Sequence, residues 1–265
     1  MRFWPHYLQY ISIVLALYVP VAQADTQQVE TLNLVDGRML RVLYVSPTYP
    51  TAILLMLPGG TGRVGLSLGG HLQHAHDFVI RTKDDWVSRG YAVVIADSPN
   101  DINLRGYRHT AAYTEVLKQI IVQVRQHSSR PIFLIGTSQG SIAAVNGGAH
   151  IPDVKGIVLA EPVSVMGHSG ETIYSAGLDS VHAPVLVVAN QKDRCWVAPP
   201  NQANAIVSAA SASEDVRLLK VSGGQARAQR GCSALSAHGY YGIESEVIEG
   251  VDHWLKQHGA LQTHF

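Results

Sequence analysis

Short apolar runs alternate with longer amphipathic segments along most of the chain. The runs are rich in Val, Ile and Leu and are bounded by Gly, Pro, Asn or Asp, which is typical of strands buried on both faces of a sheet. Strands are predicted at residues 52–57, 91–96, 131–135, 154–159, 184–189 and 215–221. Helices are predicted at residues 77–89, 106–127, 138–149, 200–210 and 243–258.

The chain before these units has a different pattern. Two strand-like runs, residues 29–35 and 39–45, flank Asp36-Gly37, a strong signal for a hairpin turn. An antiparallel hairpin followed by repeated strand–helix units implies a mostly parallel sheet with helices on both faces. No linker interrupts the pattern, so the predicted fold class is α/β, in one domain over residues 25–265.

Composition removes several functional classes. Lys and Arg number 20, as do Asp and Glu, and 46% of the 265 residues are apolar. A disordered chain would be less apolar and less balanced in charge. A charged helical rod would need more than the 15% of charged residues in this chain. A net charge of zero offers no electrostatic basis for binding nucleic acid, so no such partner is expected.

The first 24 residues have the pattern of a targeting signal. Arg2 precedes an apolar run over residues 7–21, and Ala22-Gln23-Ala24 follows as a small-x-small cleavage pattern. Cleavage of this signal peptide after Ala24 is predicted, which makes the protein periplasmic or secreted; an uncleaved N-terminal anchor is the alternative. No other segment is apolar enough to span a bilayer, so no stable membrane insertion is expected after cleavage.

The cysteines fit an exported protein. Disulfides persist in oxidising compartments, and Cys195 and Cys232 allow only one pairing. A Cys195–Cys232 disulfide is therefore predicted, with two free thiols as the alternative. The bridge would close a loop of 37 residues. Closing such a loop stabilises a fold by roughly 4 kcal/mol in the chain-entropy description.

A candidate nucleophile follows the strand at residues 131–135. Residues 136–140 read G-T-S-Q-G, with Ser138 at the centre. A sharp strand-to-helix turn of this kind lifts the serine hydroxyl above the sheet edge, and glycines two residues either side leave space for the neighbouring chain. Ser138 is the predicted nucleophile; an ordinary turn with an incidental serine is the alternative.

A serine nucleophile needs a base to take its proton and an acid to orient that base. In a parallel sheet such groups lie just beyond the carboxyl ends of the strands. Asp193 follows the strand at residues 184–189 and is the predicted acid. Glu161, after the strand at residues 154–159, is a rival, and Asp97 is a more distant one.

Two histidines compete as the base. His253 lies within the last predicted helix. With a rotation of ~100° per residue it falls on the polar face of that helix, so its side chain should point to solvent. His238 lies in the loop just before that helix, from which it can reach over the sheet edge toward Ser138, so His238 is favoured. The predicted disulfide would then tie the loop of Asp193 to the loop of His238.

Hydrolysis through a tetrahedral intermediate also needs donors for the oxyanion. The backbone N–H of Gln139, next to the nucleophile, is one predicted donor. The second should come from residues 58–62 (P-G-G-T-G), after the first buried strand. Gly60 is assigned this role, with Thr61 in reserve.

The chain order Ser138, Asp193, His238, together with the G-T-S-Q-G turn and the earlier glycine-rich turn, resembles the α/β-hydrolase superfamily. Within it, the chain is most similar to small exported esterases of the carboxylesterase and dienelactone-hydrolase kind. The resemblance covers nearly all of residues 25–265. It implies an α/β-hydrolase fold and a serine hydrolase that cleaves small-molecule esters through an acyl-enzyme, with no metal or organic cofactor.

The chain departs from that resemblance at two places. Pro58 stands where many members have His, so the oxyanion donor is assigned by position alone. The stretch before the predicted base is lengthened by a loop at residues 223–235. The segment at residues 163–183, where members of the superfamily often carry a lid, is short for a lipase lid. An open site and short-acyl or small aromatic esters are therefore expected.

Other functions fit parts of the sequence. The same residues would serve an exported serine peptidase or amidase, and the fold also supports binding proteins without catalysis. Gly60, Gly62 and Gly65 form G-x-G-x-x-G, but no helix is predicted directly after them, which argues against a dinucleotide site. No strong metal-ligand spacing appears in the polar loop that contains His71, His74 and His76.

A basic group follows the strand at residues 91–96. Arg105, Arg108 and His109 fit the rim of a pocket for an anionic substrate. A solvated loop, or an ion pair with Asp101, is the alternative.

Overall fold

A computed structural model describes Met1 and residues 26–260 of the chain. Apart from Met1, the predicted signal peptide lies outside the described residues, so its cleavage and the division into signal and domain remain predictions. Within residues 26–260, no helix combines the length and the apolar character needed to cross a membrane.

One sheet organises the described part of the chain. Its strands are β1 (Thr26–Asn33), β2 (Met39–Ser46), β3 (Ile53–Leu57), β4 (Ala92–Ala96), β5 (Ile132–Thr137), β6 (Val154–Ala160), β7 (Val185–Asn190) and β8 (Val216–Val221). Their order across the sheet is β1-β2-β4-β3-β5-β6-β7-β8. β1–β2 and β2–β4 pair antiparallel, and the other neighbours pair parallel. The predicted mostly parallel sheet with an N-terminal hairpin is confirmed.

The hairpin between β1 and β2 turns at Gly37, whose φ of 84° favours glycine. Asn33 lies opposite Met39 in the register. The Leu34 N–H donates to the Arg38 carbonyl oxygen at 2.8 Å, so the turn begins there. β1 therefore ends two residues before the predicted bound, because the backbone groups of the turn bond to each other.

Helices cover both faces of the sheet. The α-helices within residues 26–260 are α1 (Phe78–Arg81), α2 (Lys83–Ser88), α3 (Ala111–Val124), α4 (Gln139–His150), α5 (Ala203–Ala209) and α6 (Glu244–Gln257). Side chains of α3, α4 and α5 join one core cluster, and those of α1, α2 and α6 join the other. Because successive strand residues point to opposite faces, β3 sends Ile53 and Leu55 into the first cluster and Leu54 and Met56 into the second.

Three predicted helices differ from the observed ones by a break or by more than one residue at an end. The first is divided at Thr82, whose backbone leaves helical angles (φ −94°, ψ 8°). The second begins only at Ala111, because the Thr110 hydroxyl caps the helix by accepting the Tyr113 N–H at 3.2 Å. The fourth opens with a 3₁₀ turn, Pro200–Gln202, before α5. These differences leave the order of the elements unchanged.

The centre of the sheet positions the candidate site. β3, β5, β6 and β7 are parallel, so their carboxyl ends meet at one edge. The chain leaving these strands carries Gly60, Ser138, Glu161 and Asp193 in turn. His238 reaches the same edge from the loop before α6.

Candidate active site

Ser138 lies between the end of β5 and the start of α4, where the chain changes direction. Its backbone angles, φ 54° and ψ −118°, are strained for a residue with a side chain. The Ser138 N–H donates to the Ala160 carbonyl oxygen at 2.8 Å, which ties the turn to β6. The side chain lines a cleft of about 400 Å³ at the sheet edge.

The two glycines of the turn are required by close contacts. A Cβ at Gly140 would lie against the carbonyl oxygen of Leu57 in β3. A Cβ at Gly136 would lie against the carbonyl group of Gly140. The G-x-S-x-G pattern therefore has a steric cause here, because the helix can approach the strands only where no side chain intervenes.

His238 and Asp193 form a buried pair. Nδ1 of His238 is 2.7 Å from Oδ2 of Asp193, although the two residues are 45 positions apart. The exposed fractions of the two side chains are 3% and 0%. The other carboxylate oxygen of Asp193 accepts the Cys195 N–H at 2.8 Å, and the Ser236 hydroxyl accepts the His238 N–H at 3.3 Å. The pair thus fixes the ring with Nδ1 toward the carboxylate, which leaves Nε2 as the second reactive nitrogen.

Ser138 and His238 line the same cleft without a hydrogen bond between them. Nε2 of His238 is buried and has no hydrogen-bond partner among the described residues. Leaving a buried polar atom unpaired costs about 1–3 kcal/mol, so this nitrogen is poised to gain a partner. Catalytic hydrogen bonds are often long in enzymes without substrate and shorten in the complex.

Two charged side chains hold the loop after β3. The guanidinium of Arg108, which is 1% exposed, donates to the carbonyl oxygens of Pro58 and Gly60, each at 3.1 Å. The carboxylate of Asp77 accepts the Gly59 N–H at 2.9 Å. Burial lowers the pKa of Arg108 and raises the pKa of Asp77, because it disfavours the charged form of each group. The hydrogen bonds to the loop offset part of this cost.

The same loop leaves donors free. The N–H groups of Gly60, Thr61 and Gln139 have no acceptor among residues 26–260. Gly60 and Thr61 line the cleft beside Ser138, and Gln139 follows Ser138 directly. The two predicted oxyanion donors and the reserve donor are therefore all close to the candidate nucleophile.

Cys195 and Cys232 form the predicted disulfide, with their Cα atoms 4.4 Å apart. Cys195 lies two residues after Asp193, and Cys232 lines the cleft together with His238. The bridge therefore joins the loop that carries Asp193 to the segment that leads to His238.

Three solved structures resemble the chain over most of its length. An esterase from Pyrococcus furiosus is 12% identical with a TM-score of 0.65, covering 92% of this chain and 97% of its own. A cold-adapted esterase from an Arctic intertidal metagenomic library is 16% identical with a TM-score of 0.61, covering 89% and 94%. A dienelactone hydrolase from Anabaena variabilis is 16% identical with a TM-score of 0.60, covering 88% and 98%. This chain has the α/β-hydrolase fold.

The predicted α/β-hydrolase fold is thus confirmed, with the strand order and the hairpin described above. No protein-family model and no curated protein matches the sequence. At such low identities the likeness establishes the fold, and the chemistry has to be argued from the site itself.

Two rivals for the triad lie elsewhere in this α/β-hydrolase fold. The carboxylate of Asp97 accepts the N–H groups of Val64 and Leu66 at 2.9 and 2.8 Å and so shapes a loop. His253 is exposed on α6 and is hydrogen-bonded to Gln257. Neither side chain lines the cleft.

Glu161, the other candidate acid, lies at the site, but Asp193 and not Glu161 is hydrogen-bonded to His238. It is 1% exposed, and its carboxyl lies within 4.8 Å of ligand atoms of both Asp193 and His238. The distances within this trio also suit a metal ion. However, Nδ1 of His238 and Oδ2 of Asp193 are only 2.7 Å apart. Two atoms bound to one zinc ion at about 2.1 Å lie more than about 3 Å apart, so the pair is a hydrogen bond.

The basic group predicted at the cleft rim is divided in the structure. Arg108 points inward, to the loop after β3, instead of forming a rim. Nδ1 of His109 is 3.0 Å from a buried glutamate carboxylate. Asp101 pairs with Arg63 at 3.3 Å rather than with this group. Arg105 remains exposed, with its guanidinium 3.9 Å from the Cβ position of Gly60.

The G-x-G-x-x-G segment makes turns. Gly60, Gly62 and Gly65 all have positive φ, of 56°, 78° and 63°. The next helix begins only at Phe78, so no helix N-terminus faces these glycines as a dinucleotide site requires. In the described residues, His71, His74 and His76 do not gather into a cluster of metal ligands.

Sequence reasoning missed the roles of Arg108 and Asp77. Their partners are backbone groups of a loop far along the chain, and no pattern of side chains records such contacts. Asp77 did carry one signal, since an Asp directly before an apolar helix start is a typical N-cap, and it does accept the Val79 N–H at 3.1 Å.

Proposed function

We propose that this protein is a serine hydrolase that cleaves small carboxylic esters through an acyl-enzyme. Ser138 is the nucleophile, His238 the base and Asp193 the acid. The observation that carries the proposal is the convergence on one cleft of a strained serine turn, a buried Asp–His pair and N–H groups without acceptors. The fold adds support, because two of the similar structures are esterases and a third is a dienelactone hydrolase.

In this mechanism Nε2 of His238 takes the proton of Ser138 as the serine oxygen attacks the ester carbonyl carbon. The N–H groups of Gly60 and Gln139 hold the oxyanion. The Asp193 carboxylate accepts a hydrogen bond from the Nδ1–H of His238 and stabilises the imidazolium without taking its proton. Collapse expels the alcohol, which takes the proton from Nε2. Water then attacks the acyl carbon by the same route and releases the carboxylic acid.

The shape of the site favours small substrates. A cleft of about 400 Å³ is at the small end of the range for ligand sites, roughly 300–1,000 Å³. The segment where a lid would lie is packed onto the fold. Ile173 and Val181 are fully buried, and the N–H groups of Ser164 and Val165 both donate to the carbonyl oxygen of Val197. We therefore propose short-acyl or small aromatic esters as substrates.

We also propose that the protein acts outside the cytoplasm. The disulfide supports this location, because such bonds persist in oxidising compartments. Determining the N-terminal residue of the protein recovered from the exported fraction tests the predicted cleavage after Ala24.

Covalent labelling tests the nucleophile. A fluorophosphonate probe should label the purified protein and the Ser141→Ala variant but not Ser138→Ala. Ser141 is a matched control, because its buried hydroxyl donates to the Gly136 carbonyl oxygen at 2.8 Å and lies outside the cleft lining. Absence of labelling in the wild-type protein would indicate a binding protein without catalysis.

A substrate panel tests the reaction class. Activity should be highest on p-nitrophenyl acetate and butyrate, weaker on the decanoate, and weakest on aminoacyl-p-nitroanilides. Faster cleavage of the anilides than of the acetate would replace the esterase proposal by a peptidase on the same triad.

A further inference from the structure

Glu161 occupies an unusual position at the end of β6. Its backbone has a φ of 45°, a conformation that residues with side chains seldom adopt. Such strain costs of order 1–3 kcal/mol and persists mainly where the surrounding structure imposes it, often at functional sites. The side chain is 1% exposed and faces the acid of the proposed triad.

Two carboxyl groups therefore share one buried space. Carboxyl oxygens of Glu161 and Asp193 and a ring nitrogen of His238 all lie within 4.8 Å of one another. Two buried carboxylates at this distance repel strongly, so one of them keeps a proton.

The hydrogen bonds indicate which group is ionised. Asp193 faces His238 at 2.7 Å and accepts the Cys195 N–H at 2.8 Å. Glu161 accepts only the Asn190 N–H, at 2.6 Å, and none of the ion pairs in residues 26–260 includes it. Asp193 is thus the better-supported anion, and Glu161 is the group that retains the proton.

The remaining groups facing Glu161 agree with this assignment. Burial, followed by the negative charge of Asp193, raises the pKa of Glu161 well above 4.5. Tyr240 also faces it, and burial raises the pKa of that phenol, so it stays neutral. The Tyr240 hydroxyl donates to the Val188 carbonyl oxygen at 3.0 Å. The charges that act on Glu161 are therefore those of the Asp193–His238 pair.

We propose that Glu161 is a positioning residue of the acid–base pair: its neutral carboxyl donates a hydrogen bond to Asp193 and keeps that carboxylate turned toward Nδ1 of His238. This inference rests on the proposed serine-hydrolase function. The proton is held on Glu161 throughout the cycle and is not transferred. Asp193 then has donors on both sides, which fixes its orientation and limits the field that it exerts on His238.

Three variants test the assignment. Glu161→Gln keeps a neutral donor of similar shape, and Glu161→Ala removes it. Asp252→Asn is the matched control, because Asp252 is also a buried carboxyl but pairs with Lys256 at 2.8 Å and accepts the Tyr91 hydroxyl at 2.7 Å. At neutral pH the infrared band of a protonated carboxyl should disappear in both Glu161 variants and persist in Asp252→Asn.

The dependence of kcat/KM on pH gives the second readout. Glu161→Gln should retain activity within about threefold and keep the acid limb of the profile within about 0.3 pH unit. Glu161→Ala should lose roughly 10- to 100-fold, chiefly in kcat, with the acid limb moved upward, because Asp193 then exerts a stronger field on His238. If Glu161→Ala does not fold, the Gln variant still decides the question.

Opposite results would overturn the proposal. If Glu161 were ionised, no protonated-carboxyl band would be lost, and Glu161→Gln would lower the acid limb by about one unit, because a negative charge near His238 would be removed. If the protonated-carboxyl band disappears in the Glu161 variants but the wild-type protein does not hydrolyse esters, the proposed function is wrong. Hydrolysis with an unchanged infrared spectrum would sink the role of Glu161 alone.

A stability measurement adds a readout that is independent of catalysis. The folded protein holds a proton on Glu161 that the unfolded chain releases above pH 4.5, so the free energy of unfolding falls as pH rises through the range above that value. The Gln variant lacks this term. Its denaturation midpoint should therefore rise relative to wild type between pH 5 and 8, and a constant difference would contradict the neutral carboxyl.

Discussion

The candidate nucleophile and the proposed acid–base pair are held by different kinds of structure. Ser138 is positioned by the turn at residues 136–140. The strained backbone at Ser138 and the close contacts at the two glycines of the turn fix the position of its side chain. Asp193 and His238 come from loops 45 positions apart and meet through one hydrogen bond of 2.7 Å. The first region is determined by backbone sterics, and the second by hydrogen bonds between distant segments.

This difference predicts how each region fails. The turn at residues 136–140 depends on close backbone contacts and not on side-chain hydrogen bonds. Substitution of one of its glycines should therefore disrupt it most. A pair built on distant loops tolerates local change but depends on the contacts that support it. These are the disulfide, the Asp193–Cys195 hydrogen bond and, by the proposal above, Glu161. The variants below test the two regions and the loop after β3, in decreasing order of expected free-energy change.

Breaking the acid–base pair should have the largest effect. Asp193→Asn keeps the shape but turns the donor side of an amide toward His238, which stabilises the wrong tautomer of the imidazole. We expect kcat to fall about 10⁴-fold, or roughly 5.5 kcal/mol, with little change in KM. Steady-state kinetics on p-nitrophenyl acetate measures the loss.

The control for the base compares two histidines. His238→Ala should lose about as much activity as Asp193→Asn, because the two residues act as a unit. His253→Ala should change activity less than about twofold, since that ring is exposed on α6. Equal losses in the two histidine variants would contradict the assignment of His238.

Breaking the turn should have the next largest effect, and on stability as well as activity. In Gly140→Ala the new methyl group would press on the carbonyl oxygens of Leu57 and Pro58. We expect a loss of about 4 kcal/mol in the free energy of unfolding, measured by urea denaturation. Gly69→Ala is the control, because its Cβ meets nothing closer than 3.9 Å. A stable and active Gly140→Ala would refute the steric account of the turn.

Removing the disulfide should have a smaller effect, of about 3 kcal/mol on stability, because disulfides typically contribute about 2–4 kcal/mol and often less than the chain-entropy description gives. The variant is the double replacement of Cys195 and Cys232 by Ser, and urea denaturation measures it. We expect kcat to fall only several-fold, because the 2.7 Å pair still forms in the folded protein. Added reductant should destabilise the wild-type protein and leave the double variant unchanged; equal sensitivity of both would show that the bridge is not formed.

Releasing the oxyanion loop should have the smallest effect. Arg108→Met removes the donors that hold the Pro58 and Gly60 carbonyls while filling most of the space. We expect kcat to fall about 30-fold, or roughly 2 kcal/mol, with KM nearly unchanged, since this loop carries the proposed oxyanion donor, which would act in the transition state. Arg125→Met is the matched control, because Arg125 also donates to loop carbonyls, including that of Ser128, away from the cleft. A rise in KM with an unchanged kcat would assign Arg108 to substrate binding instead.

Much of the fold followed from patterns between neighbouring residues. The alternation of apolar runs and amphipathic segments predicted every strand of the parallel sheet, and Asp36-Gly37 predicted the hairpin. The residues around Ser138 predicted its turn, because the close approach of backbone there requires glycines at two fixed positions. Helix bounds were less accurate, since single capping contacts such as Thr110 to Tyr113 decide where a helix begins.

The sequence by itself thus determined the order of the elements, the turn at Ser138 and a short set of acids and bases. Only the tertiary structure decided that Asp193 pairs with His238, that Glu161 stands beside that pair, and that Arg108 faces inward to backbone carbonyls. The physical reason is the separation along the chain over which each interaction acts. Steric limits act between residues a few positions apart, whereas a contact between side chains from distant loops depends on the order of strands that brings those loops to one edge.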